Sequence, residues 1–174
     1  MYRNVWAESG AATVLAKYAE GYYTTTLPSK DPVTNCGCGF LAITTDKRGN
    51  VKLAGLLADG ASVSLSAPLI LDETGQVFVV VYTSPLLYRG GSFFGLAGFQ
   101  TSDDGLITIK PLDGEAFLWT SSNPQATGHY GSGFSRSLWL TGGWYNPRDN
   151  LYAYYADKAL TVGVDSTASA PEVT

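Results

Sequence analysis

Residues 61–67 read Ala-Ser-Val-Ser-Leu-Ser-Ala. Val63, Leu65 and Ala67 fall on one side of an extended chain, and Ser62, Ser64 and Ser66 fall on the other. That alternation predicts a strand with one buried face and one wet face. A register slip of one residue would bury three serines, so the register is strongly specified.

Working outward, the same grammar recurs on both sides. Asp59-Gly60 precedes the stretch and is the signature of a two-residue hairpin. Val51–Ala58 lies before it and Cys38–Thr45 before that, joined by Asp46-Lys47-Arg48-Gly49-Asn50, with Gly49 placed for a positive φ. Glu20–Leu27 is rich in Tyr and Thr and reads as another strand, followed by a loop with Pro28, Pro32 and Asn35. Downstream, Gln76–Thr83 is apolar on both faces and predicts a central strand covered on both sides. Ser92–Gln100 carries glycines at 95 and 98, which points to close backbone approach or strong curvature. Turns at Ser102–Gly105 and at Asp113-Gly114 separate Leu106–Lys110 from Ala116–Thr120. Ser121–Ser135 is the longest irregular stretch. Arg136–Tyr145, Leu151–Tyr155 and the alternating Leu160, Val162, Val164 complete the strands. Ala11–Ala19 is the one helical candidate, and it could equally be a first strand.

This spacing predicts an all-β fold: an antiparallel meander of about ten strands, closed into a β-barrel, with a two-sheet β-sandwich as the alternative. Residues 1–164 form a single β-domain and residues 165–174 a polar tail or linker. Phe40–Gly60 and Phe94–Gly114 share a strand, turn, strand, Asp-Gly order, consistent with a duplicated meander or with hairpin grammar alone.

Composition fits. The chain has 174 residues, 11 Tyr and 20 Gly, with only 15% charged residues. Aromatic side chains suit half-buried sheets and glycines supply turns. The net charge of −4 and the lack of a basic stripe argue against a nucleic-acid partner. Met1–Gly10 lacks the basic start and apolar core of a signal peptide. No run of residues reaches the length of a membrane-spanning helix.

Catalytic constellations are poor. The single histidine, His129, sits in Gly-His-Tyr-Gly and reads as a loop residue. Cys36 and Cys38 read as thiols at a loop-to-strand junction, and with one histidine far away they make no zinc site. Asp72-Glu73 and Asp103-Asp104 read as turn formers, as do Asp59 and Asp113. The sequence therefore predicts no catalytic residue, no metal and no cofactor.

The aromatic residues of the C-terminal third are more informative. Trp139, Trp144, Tyr145, Tyr152, Tyr154 and Tyr155 fall close together in sequence. Aromatic side chains on a β-scaffold can fill its interior or stack on sugar rings. Trp139, Trp144, Tyr145, Tyr152 and Tyr154 are the candidate ligand-binding set, with glycans as the candidate ligand.

The segment from Gly39 to Leu69 also resembles a known pattern. A Gly-rich strand leads into Gly49-Asn50-Val51, then Leu57-Ala58-Asp59-Gly60, then Ser64-Leu65-Ser66-Ala67-Pro68-Leu69. Leu87-Tyr88-Arg89-Gly90-Gly91 and Gly95-Leu96-Ala97-Gly98-Phe99 continue it, followed by Thr108-Ile109-Lys110-Pro111, Gly133-Phe134 and Tyr145-Asn146-Pro147. This resembles a β-rich repeat module of very large secreted or cell-surface bacterial proteins, over roughly Gly21 to Pro147. A tryptophan usual before Ile-Lys-Pro is absent here. The resemblance implies an extracellular or cell-surface location, with neighbouring domains of a larger parent chain as partners. It implies no established activity and carries over no functional residues. The resulting expectation is a non-catalytic structural or adhesive module. A carbohydrate-binding module is the alternative. A small outer-membrane barrel is a further one, against which Lys52 and the Gly-rich strands count.

Overall fold

The structure is a computed structural model, and it describes residues 19–30, 37–83, 90–101, 103, 106–121 and 133–145. Among these, eleven strands form one antiparallel sheet. They are β1 (Gly21–Leu27), β2 (Gly39–Thr45), β3 (Asn50–Leu56), β4 (Ser62–Pro68), β5 (Ile70–Leu71), β6 (Val77–Thr83), β7 (Gly91–Thr101), β8 (Ile107–Pro111), β9 (Phe117–Ser121), β10 (Phe134–Leu138) and β11 (Thr141–Tyr145). The fold is the expected all-β meander.

Three pairs of these strands are interrupted halves of one lane. β8 and β9 both pair with the same edge of β7. β10 continues into β11, the former pairing β9 and the latter β8. β4 continues into β5, the former pairing β3 and the latter β6. Each lane therefore lies beside the next in sequence, and β11 returns to pair with β1. The sheet curls strongly into an open barrel.

Three hairpins share one turn design. At Asp46–Asn50, Leu57–Ala61 and Asp72–Gln76 the first N–H donates to the fifth carbonyl, at 3.0, 2.8 and 3.1 Å, and the fourth residue is a glycine at positive φ. This is a type I turn with a glycine bulge, a three-residue loop. Asp59-Gly60 therefore closes a longer loop than the two-residue turn its sequence suggests. The Asp46 carboxylate accepts from the backbone N–H groups of Arg48 and Asn50, and Asp72 accepts from those of Thr74 and Gln76. Asp59 accepts from Ala61 N–H. These aspartates act as turn formers, as their sequence context indicates.

Asp113-Gly114 differs from its sequence reading. It does not reverse the chain. A 3₁₀ turn at Leu112–Gly114, with Asp113 at φ 52, makes an excursion between β8 and β9, which run in the same direction. Leu112 covers Gly98 on the outer face of β7, and Asp113 Oδ1 accepts from Gln76 Nε2 at 3.0 Å. The Asp-Gly steps of the two echoing segments thus have different geometries.

The core lies inside the curl. Tyr23, Leu41, Ile43, Leu53, Val63, Val79, Val81, Phe93, Phe117 and Trp119 all point inward and are buried. Phe93 stacks on Phe117 with ring centroids 5.3 Å apart, and Tyr23 meets Phe99 edge-on at the same separation. Fully burying each such side chain contributes about 1.5–3 kcal/mol. β4 keeps its expected polarity, with Ser62, Ser64 and Ser66 exposed and Val63 buried. Strand β6 departs from expectation. Its outward residues are Phe78, buried; Val80, half-buried; and Tyr82, 53% exposed. The excursion at Leu112 lies over one end of the outer wall, near Gly98, and leaves the other end open.

Candidate functional site

The aromatic stretch does not form one platform. β11 places Tyr145 opposite Tyr22 of β1, and both side chains face outward and are exposed. Trp144 points to the other side of the strand, opposite Tyr23. It sits at the barrel rim, 43% exposed, with its indole beside Gly21. A Cβ on Gly21 would come within 2.8 Å of the indole Nε1, so the glycine makes room for the ring. Trp139 is half-buried further along the lane, where its N–H donates to Pro28 O at 2.9 Å. Lys30 Nζ stands 5.2 Å from the centre of its ring. Its face is thus partly engaged by a cation of the chain itself. Tyr152, Tyr154 and Tyr155 lie outside the described residues, as do the strands expected there and the tail at 165–174.

Two of the five candidate residues, Trp144 and Tyr145, therefore gather at one rim, on opposite sides of the strand. Tyr22 joins them from a distant part of the sequence. No local signal marks Tyr22, because its neighbourhood depends on the β1–β11 register.

A second exposed set escaped the sequence reading. Tyr82, Phe94 and Leu118 stand in one row across β6, β7 and β9, as directly opposed cross-strand residues. Their exposures are 53%, 45% and 45%. The Tyr82 and Phe94 rings meet edge-on at 6.5 Å. Val80 and Leu96, also directly opposed, lie next to the row and are half-buried. Phe40 and Leu56 form another exposed, directly opposed pair on β2 and β3.

The outer wall also carries a shallow pocket of about 260 Å³, lined by Gly75, Gln76, Val77, Gly98, Gln100 and Leu112 among others. Among the described residues its polar side chains are the two glutamines, and no charged side chain lines it. Among the described residues no cluster of three or more His, Cys, Asp or Glu is arranged to hold a metal ion. Cys38 is exposed just before β2, and its thiol donates to Gly39 O at 3.3 Å. His129 and Cys36 lie outside the described residues. Among the described residues no helix is long and apolar enough to cross a membrane.

In comparison with known proteins, no protein family, curated protein or solved structure matches the chain.

Proposed function

We propose that this chain is a non-catalytic structural or adhesive module of an exported bacterial protein, and that it makes contact through its outer wall. The observation that carries this reading is the row Tyr82, Phe94 and Leu118. Large apolar side chains set side by side in water mark a contact surface more than a solvated wall does. The interior supports the same reading, since aromatic side chains occupy the space where a ligand-carrying barrel keeps its cavity. Export rests on the sequence resemblance. The polarity of β4 speaks for a water-facing wall, since its serines point outward and its valine inward, the reverse of the alternation in a membrane barrel.

The test is adhesion of beads carrying the full chain to bacterial cells and to protein-coated surfaces. Tyr82→Ser with Phe94→Ser should abolish retention at an unchanged melting temperature. Equal retention of the variant would sink the reading.

Carbohydrate binding is the second reading, favoured by the exposed rim of Tyr22, Trp144 and Tyr145. A glycan array in which Trp144→Ala and Tyr22→Ala remove a clear signal would put it first.

A further inference from the structure

The shallow pocket of the outer wall is assembled from two distant parts of the chain. Val77 and Phe99 are directly opposed and face the interior, where both are buried. One step past them, Gln76 and Gln100 come side by side on the opposite, outer face. Both line the pocket. Its apolar wall is Leu112, which the excursion between β8 and β9 carries across β7. Leu112 seats where Gly98 leaves room, since a Cβ there would meet Leu112 Cδ1 at 3.3 Å.

Gln76 is fixed at three points. Its N–H donates to Asp72 Oδ1 at 2.8 Å, and its carbonyl accepts from Asp72 N–H at 3.1 Å. Its side-chain Nε2 donates to Asp113 Oδ1 at 3.0 Å. The same excursion that supplies Leu112 thus supplies the group that orients the Gln76 amide. A primary amide has two N–H donors and one acceptor oxygen. With one N–H engaged by Asp113, Gln76 keeps a donor and an acceptor side by side. Gln100 is exposed, and its amide carries a second set.

These features narrow the ligand. Neighbouring hydroxyls on a sugar ring each donate and accept, which is what a donor–acceptor pair on an amide matches. The volume of about 260 Å³ lies below the roughly 300–1,000 Å³ of pockets that bury drug-sized molecules, so it suits a single ring. Among the described lining residues none is charged, and Lys110, although it pairs with Gly98, is not one of them. The charge bonded to the lining is the Asp113 carboxylate on the Gln76 amide. An anionic ligand would meet that like charge with no lining cation to offset it.

We propose that the pocket binds one neutral sugar unit, the end residue of a glycan. Its hydroxyls bond to the Gln76 and Gln100 amides, and an apolar face of the ring rests on Leu112. The inference goes beyond the contact-module reading by giving the module a ligand class. The pocket shares no residue with the row of Tyr82, Phe94 and Leu118, or with the rim at Trp144. Each of the three can therefore fail alone.

The experiment is an NMR titration of the isotope-labelled full chain with the methyl pyranosides of glucose, mannose and galactose. It runs through the millimolar range, the affinity that a few net hydrogen bonds supply. At least one glycoside should saturably shift the side-chain amide signals of both Gln76 and Gln100. The uronate of the tightest binder, which carries a carboxylate on the same ring, should bind about tenfold more weakly at low salt. Gln100→Leu removes one amide at an exposed position. It should weaken binding about tenfold at an unchanged melting temperature. Trp144→Ala should leave binding as it is. No saturable shift of the glutamine amides with any of the three sugars would overturn the proposal. So would a uronate that binds as tightly as its neutral parent, Gln100→Leu binding like the parent chain, or binding lost in Trp144→Ala.

Discussion

The ring of Phe117 occupies the space that a side chain on Gly95 would fill. Gly95 faces the interior from β7, and Phe117 is stacked there on Phe93. The glycines of β7 thus answer to side-chain cover, with Phe117 over Gly95 inside and Leu112 over Gly98 outside. Gly95→Ala forces a buried, stacked ring to move. Overpacking of this kind costs about 1–3 kcal/mol. Chemical denaturation should show a lower midpoint with an unchanged slope. A midpoint equal to that of the parent would mean that the interior relaxes more easily than its packing indicates.

Thr25 and Thr45 are both buried, with opposite consequences. Thr25 Oγ1 donates to Leu41 O at 3.0 Å. Thr45 Oγ1 is buried without a hydrogen-bond partner. Replacing a satisfied hydroxyl leaves its acceptor short and costs about 1 kcal/mol, whereas replacing an unsatisfied one removes a desolvation penalty. Thr25→Val should therefore lower the thermal midpoint and Thr45→Val should hold or raise it. Equal losses for both variants would show that the Thr45 hydroxyl is paired in solution.

Two hairpin turns make the fold sensitive to acid. The Asn50 side-chain amide beside Asp46, and the Thr74 hydroxyl beside Asp72, hold these carboxyls below the ordinary value of 3.8, helped by backbone N–H donors. A carboxyl with a depressed folded pKa binds fewer protons folded than unfolded. Its stabilising effect is present above the unfolded value and is lost as pH falls through the lower, folded value. Stability measured from about pH 5 down to about pH 2 should fall through this window. Asp46→Asn and Asp72→Asn should each flatten part of that slope. Acid curves parallel to the parent's would contradict the assignment.

Much of the architecture is legible in residues 46–76, where Asp, Gly and alternation agree. Ser62–Ser66 declared their outward face, and Gly49 its positive φ, because local turn chemistry and the core want the same thing. Asp113-Gly114 was not legible. The same dipeptide at Asp59-Gly60 closes a hairpin, and only the partner of the following strand separates the two cases. That partner, β7, lies earlier in the sequence, and Leu112 finds Gly98 through tertiary packing alone. The rim was half legible for the same reason. Alternation already sets Trp144 and Tyr145 on opposite sides of a strand, but Tyr22 enters through a long-range register. The row on the outer wall depends on which end of β6 is covered, which no local pattern states.

Among the described residues Trp119 is the largest fully buried side chain, and it meets Phe134 edge-on with ring centroids 4.5 Å apart. Arg136 stands directly opposite it on β10, with its guanidinium 5.4 Å from the centre of the Phe134 ring. Trp119→Ala should cost about 3–5 kcal/mol. Trp119→Phe retains most of the burial and should cost less. Lost ring area in the middle of the β7–β9–β10 ladder should also loosen β10, so exchange at Arg136 and Leu138, whose N–H groups face β9, should quicken more than at Ala42 on β2. A uniform quickening across both strands would mean that the barrel opens as one unit and that β10 has no separate dependence on this ring.

The row of Tyr82, Phe94 and Leu118 separates contact from folding. These side chains face water, so replacing them removes little burial, and surface changes of this kind usually stay within about 0.5 kcal/mol. Tyr82→Ser with Phe94→Ser should leave the denaturation midpoint near that of the parent. It should also raise the ammonium sulfate concentration at which the protein salts out, because less apolar surface is driven from water. Both outcomes follow if the row is an open contact surface. A large loss of stability would instead show that the row is covered in the folded protein and is no open contact surface.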